Sequence, residues 1–308
     1  MNSNENPTVP EAPVKEAPNS DWEHYQLYCD VIEAIASLPV YYRTETQISG
    51  IMATDLHTLN TVLGATIEEQ VVGTLNHMRN TWDPLEKYPL YSFVRQAQTF
   101  PDVLLRKASS GEILMGIELK GWYLLAKEAE PSLRFQTTAA ACTKQDLIVV
   151  VPWVLGNVIS GSPILFEPYI ESAKFAAEFR NYHWQHIRRT QLSTVINIPN
   201  GIAPYPQKSD PVLDKPESDG GGNFGRLART GIMDSYMTKL NDVQLSGIKT
   251  VFWREFLKTF QEGTNDEEAR TAIYRLKQKV QQTSDELSPT VSSTLGIVAE
   301  LDRLLDST

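Results

Sequence analysis

The chain has 308 residues, 41% of them hydrophobic and 21% charged, with two cysteines and a formal net charge of −10. That length buries a real core in one large domain or two modest ones. No apolar run reaches the ~20 residues of a membrane helix, and the first thirty residues show no basic-then-apolar signal pattern, so a cytoplasmic protein with no membrane partner is expected. Cys29 and Cys142 stand far apart with no Cys/His cluster near either, which argues against a disulfide framework and a structural zinc site.

The negative charge is unevenly spread. Residues 1–30 carry six acids against Lys15, and residues 261–308 carry nine acids against five bases. The body between them is almost neutral, and a local basic face is compatible with it.

In chain order, residues 1–20 are rich in Pro, Asn and Glu with little to bury, and read as a disordered leader. From Trp22, apolar residues recur at helical spacing through Ala36, with Pro39 ending the helix. A second helix is expected over 66–79, where Thr66 and Glu69 have capping-box spacing. Residues 90–96 read as a strand. Residues 99–122, TFPDVLLRKASSGEILMGIELKGW, read as a hairpin turning at Ser109-Ser110-Gly111. Helical character is expected around 132–142, and the run DLIVVVPWVL at 146–155 is a strand buried on both faces. Residues 168–190 suggest one amphipathic helix with Phe175, Phe179 and Tyr182 packed inward. Residues 199–224, dense in Pro, Gly, Ser and Asp, form a long loop or linker. Helical composition resumes over 225–262 and 266–282, with a last amphipathic helix at 289–306. Helices alternating with strands predict an α/β core.

The hairpin carries charges where a packed sheet prefers apolar residues. Strand alternation puts Glu118 and Lys120 on one face and Leu119 on the other. If Asp102 opens the neighbouring strand, its carboxylate approaches Glu118, and two converging carboxylates repel unless a cation sits between them. A hard cation such as Mg²⁺ suits that pair, with the Leu119 carbonyl as a further donor. Lys120 is then placed to orient or deprotonate a water and to offset charge on a phosphate. The chemistry is metal-assisted phosphodiester hydrolysis. The alternative is a surface hairpin whose Glu118 and Lys120 make an exposed pair. The apolar flanks of GIELKGW argue against it.

Pro101-Asp102, fifteen residues, then Glu118-Leu119-Lys120 resembles the PD-(D/E)xK nuclease superfamily, which includes most type II restriction endonucleases. The resemblance spans roughly residues 60–155. It implies a restriction-endonuclease-like mixed central sheet flanked by helices. For the chain as a whole a catalytic core over 21–198 is expected, with additional C-terminal helices over 225–308 for DNA contact or dimerisation. It implies Mg²⁺ held by Asp102 and Glu118, with Lys120 assisting the water. Many members add a helical glutamate before the first core strand, a place matched by Glu69, with Glu68 as its neighbour. The repair and recombination branch often has a Gln-x-x-x-Tyr helix after the lysine, whereas Gln136 is followed four places later by Ala140.

Basic residues among aromatics suit phosphate contact and base stacking. Lys174, Arg180, His183, Arg188 and Arg189 make one such group, and Arg226 and Arg229 belong to a second basic stretch. The alternative for the first group is an amphipathic core helix with solvated arginines. His183 and His186 lack a third partner for a metal. The expected activity is a Mg²⁺-dependent, site-specific endonuclease acting on double-stranded DNA as a homodimer, with a cognate DNA methyltransferase in the same system. Other readings are a structure-specific repair nuclease and a non-catalytic DNA-binding module.

Overall fold

The structure is a computed structural model, which describes residues 10–50, 56–96, 99–189, 193–219, 221–259, 264–283 and Gly296. The expected helix at 289–306 therefore lies outside the described residues, Gly296 apart, as do residues 1–9.

A mixed α/β core is built on a six-stranded sheet. Helices α1 (Tyr25–Ala36), α2 (Leu38–Tyr41), α3 (Leu56–His77) and α4 (Arg79–Trp82) precede it. Strands β1 (Tyr91–Arg95), β2 (Val103–Lys107) and β3 (Ile113–Tyr123) form an antiparallel meander. Strand β4 (Leu147–Leu155) lies parallel to β3. Its other edge is shared by β5 (Pro163–Leu165) and β6 (Tyr169–Ser172), both antiparallel. All nine residues of β4 are buried, as its unbroken apolar run demands. Pro152 pairs with Trp122 of β3 and lies between the residues paired with β6 and those paired with β5, and its carbonyl accepts the Phe166 N–H at 2.9 Å.

Several expectations are corrected. Residues 10–19 form no helix or strand; Lys15 pairs with Glu171 at 2.6 Å, Glu16 with Lys144 at 2.6 Å, and Pro18 is buried. Thr66 caps nothing. It lies inside α3, where its hydroxyl donates back to the Val62 carbonyl at 3.3 Å. Pro39 sits in the first turn of α2, a position suited to a residue without an N–H. Around 132–142 only Ala139–Ala141 turn helically, and Arg134 and Thr137 instead make bridges to Arg226 and Leu213. The long helix at 168–190 is a strand, an α-helix and a π-helical turn over His183–Ile187. Residues 169–172 complete the sheet as β6, and Ser172 then caps α5 (Ala173–Tyr182) through the Phe175 N–H, at 3.3 Å. Its inward face is Ala173, Ala176, Ala177 and Arg180, while Phe175 and Phe179 are only half-buried.

Residues 199–224 are largely irregular but are tied to the core. The Asp214 N–H donates to the Gln136 carbonyl at 2.9 Å, and the Tyr205 hydroxyl to Asp146 at 3.0 Å. Arg180 and Asp214, 1% and 0% exposed, form a buried ion pair, and Arg180 also donates to the Phe135 and Thr137 carbonyls at 2.8 and 3.1 Å. Beyond lie α6 (Asp234–Asn241), a two-residue hairpin, α7 (Thr250–Leu257) and α8 (Asp266–Thr283).

Removing one partner of a buried pair strands the other charge. Asp214→Ala should therefore lower unfolding free energy by about 3–5 kcal/mol, measured by urea denaturation. The double apolar variant Arg180→Met/Asp214→Leu should recover most of that loss; no loss in the single variant would deny the pair its structural role.

Candidate active site

The register of the hairpin brings the charged residues together. Val103 pairs with Ile117, so Asp102, just before β2, stands opposite Glu118. Gly116 makes this possible: a Cβ there would lie 2.3 Å from Pro101 Cγ, so only glycine lets Pro101 seat against β3 and bring Asp102 with it. The Leu119 N–H then donates to Asp102 Oδ2 at 3.1 Å. Leu119 turns its side chain into the core, 5% exposed, and Glu118 and Lys120 share the opposite face.

Glu68 on α3 completes the cluster. Its Oε1 is 3.1 Å from Lys120 Nζ and accepts the Gly121 N–H at 2.9 Å. The helix packs against the strand at Gly121, where a Cβ would make only ordinary contact, 3.4 Å from the Gly64 carbonyl. Glu69, one residue on, points to solvent. The helical glutamate beside the lysine is thus Glu68, and the expectation for Glu69 is corrected: consecutive helical residues diverge by about 100°, and the capping-box spacing that singled out Glu69 has no structural counterpart.

Burial raises the Asp102 pKa to about 6 despite the Leu119 N–H, with the Glu68 charge adding to the rise. Glu118 goes up to about 8, through burial first and the Asp102 charge second, while the Asp102 backbone N–H works the other way. Glu118 Oε2 is sealed from water without a hydrogen-bond partner. An orphaned oxygen on one of two facing carboxylates fits a hard cation, and one or two carboxylates with water and phosphate oxygens suffice for Mg²⁺. Asp102, Glu118 and the Leu119 carbonyl are the donors to hold it. Among the described residues no larger cluster of His, Cys, Asp or Glu is gathered for a metal.

Asp102 and Glu118 line a cleft of about 430 Å³, to which Arg134, Lys208 and Lys215 contribute cations. Arg95, at the end of β1, also acts on Asp102 electrostatically. Of these only Arg95 adjoins the motif in sequence; Lys208 and Lys215 belong to the long loop.

The residues expected to touch DNA divide. His183, Arg188, Arg189, Arg226 and Arg229 line a second cavity. Arg180 borders it too, but is engaged by Asp214 and two carbonyls, so its expected role in DNA contact is corrected to a structural one. Lys174 stands apart, partly exposed on α5.

No protein-family model, curated protein or solved structure matches the chain. The likeness to the PD-(D/E)xK nucleases accordingly rests on Asp102, Glu118, Leu119 and Lys120 themselves.

A carboxylate whose folded pKa lies above its unfolded one makes the native state the better proton binder, so stability is lost as pH rises through that interval. For Glu118 the interval runs from 4.5 to about 8. In EDTA, Glu118→Gln should match wild type near the lower end and exceed its melting temperature on the order of 5 °C near the upper end. A difference independent of pH would contradict the raised pKa.

Proposed function

We propose that this chain is a Mg²⁺-dependent DNA endonuclease of the PD-(D/E)xK type, acting at specific sites in double-stranded DNA as a two-fold dimer. The observation that carries this reading is the facing pair Asp102 and Glu118 with Lys120 on the same strand, all in or beside one cleft. Among the described residues no helix is long and apolar enough to cross a membrane.

The roles follow from the chemistry of each group. Asp102 and Glu118 supply the anionic floor and would hold a divalent ion, which when bound would supply a more acidic water and charge neutralisation for the phosphate. Lys120 presents an amine to the attacking water, and Glu68 fixes its direction through the 3.1 Å contact. Arg134, Lys208 and Lys215 give the flanking phosphates cationic partners, which a cleft floored by carboxylates needs if it is to admit a polyanion. The repair-type reading gains nothing, because Gln136 sits in a segment bridged to residues 213 and 226 and not on a helix.

Purified protein incubated with long DNA of known sequence should give discrete fragments in Mg²⁺ and none in EDTA, with the sequenced ends sharing a short motif. Such a protein would need a cognate methyltransferase to protect its own genome. Asp102→Ala and Lys120→Ala should each slow cutting by roughly 10²–10⁴-fold, and the loss in Glu68→Ala should exceed that in Glu69→Ala by about tenfold or more. Undiminished cutting by the Asp102 or Lys120 variant would sink the site. A smear of fragments would make the activity non-specific, and DNA retention without cutting would make the chain a binding module.

A further inference from the structure

The second cavity has a volume of about 430 Å³. The extended segment 134–137 touches residues of both cavities. Arg134 and Gln136 line the carboxylate cleft, while the Arg134 backbone bridges Arg226 and the Phe135 N–H donates to the Gly225 carbonyl at 2.8 Å on the other side.

Its chemistry is the reverse of the cleft's. Arg188, Arg189, Arg226 and Arg229 converge on it, with His183 between, and no carboxylate is among the described residues that line it. Two polar groups there are unsatisfied: Trp184, 3% exposed, has no acceptor for its Nε1–H, and neither has Arg188 for its Nε–H. Buried donors without acceptors are uncommon in native proteins and call for an explanation. The Arg188 guanidinium lies over the Trp184 ring at 3.2 Å, so the aromatic face is covered and the cavity offers charge and donors, not a stacking platform. Burial pulls the Arg188 and His183 pKa values down, as it does for groups short of counter-charge. The nearest compensation comes from the side: Glu130 Oε1 is 2.6 Å from Arg229 and 3.6 Å from Arg226. Asp219, committed to Arg134, reaches Arg188 only through space.

We infer that this cavity is a phosphate-binding pocket, separate from the carboxylate cleft, with Arg188, Arg189, Arg226 and Arg229 as its donors and Glu130 as an internal anion that the ligand competes with. Guanidinium groups in a concave, partly desolvated setting suit a tetrahedral oxyanion better than a carboxylate-bearing peptide, because several forks can share its oxygens. The phosphate belongs either to a DNA backbone or to a free nucleotide. The pocket stands on its own residues; only the DNA source rests on the nuclease reading.

The test is calorimetric titration of the full chain with inorganic phosphate. Anisotropy of a labelled duplex in EDTA across a salt series then separates the two sources. Wild type should bind phosphate, Arg189→Ala and Arg226→Gln should each weaken it by about tenfold, and Glu130→Gln should tighten it several-fold. If the source is DNA, the two arginine variants also bind duplex more weakly, with the salt slope shallower by about 0.9 for each phosphate that is no longer neutralised. If it is a nucleotide, duplex binding is unmoved and a nucleoside monophosphate loses affinity in the same variants. Phosphate binding that is absent in wild type, or equal in folded Arg189→Ala and Arg226→Gln, overturns the pocket. A wild type that binds phosphate in this way but never cuts DNA overturns the nuclease reading and leaves the pocket standing.

Discussion

Two carboxylates facing each other across β2 and β3, with the Leu119 N–H donated to Asp102 and the Asp102 N–H acting on Glu118, set the terms for the rest of the molecule. Burying one unpaired anion costs several kcal/mol, and a second beside it adds repulsion. Apolar residues at 102 and 118 would make a better hairpin. The fold nonetheless gives up a side chain for the arrangement: Gly116 admits Pro101 and so delivers Asp102, while α3 brings Glu68 to the Gly121 N–H. Both approaches fix charged groups against β3, which is hard to explain if the hairpin is only structural.

The sheet was legible in the sequence because its signals are local. The unbroken apolar run of β4 and the turn at Ser109-Ser110-Gly111 depend on neighbours a few residues away, and strand alternation alone put Glu118 and Lys120 on one face. Errors came where tertiary contact overrode a local pattern. Thr66 and Glu69 have the spacing of a helix start, but the helix begins ten residues earlier at Leu56, so the choice between Glu68 and Glu69 passed to helix phase, which spacing from a false cap cannot supply. Residues 169–172 look helical by composition until β4 offers them an edge.

Arg180 shows the same limit from the side of charge. In sequence it belongs to a run of basic residues and reads as exposed. In the fold it is the most buried of them, because α5 presents alanines to the sheet and Arg180 is the one long side chain on that face. Its partner Asp214 comes from the segment whose Pro/Gly content reads as a free loop. The buried pair converts that loop into the roof of the cleft and places Lys208 and Lys215 beside two carboxylates that nothing local in the sequence relates to them.

The acidic chain thus resolves into an uneven field. Much of the negative charge lies at the two ends of the sequence, whereas the arginines of the second cavity gather on one side of segment 134–137 and the paired carboxylates on the other. A carboxylate floor repels a polyanion until a cation neutralises it, and screening limits help from charges more than about 8 Å away at physiological salt. Arg134, Lys208 and Lys215 line the same cleft as the carboxylates, and segment 134–137 also touches Gly225 and Arg226 of the arginine-lined cavity. If both proposals hold, segment 134–137 links attraction to chemistry, and a ligand gripped by the arginines would be registered against the carboxylates.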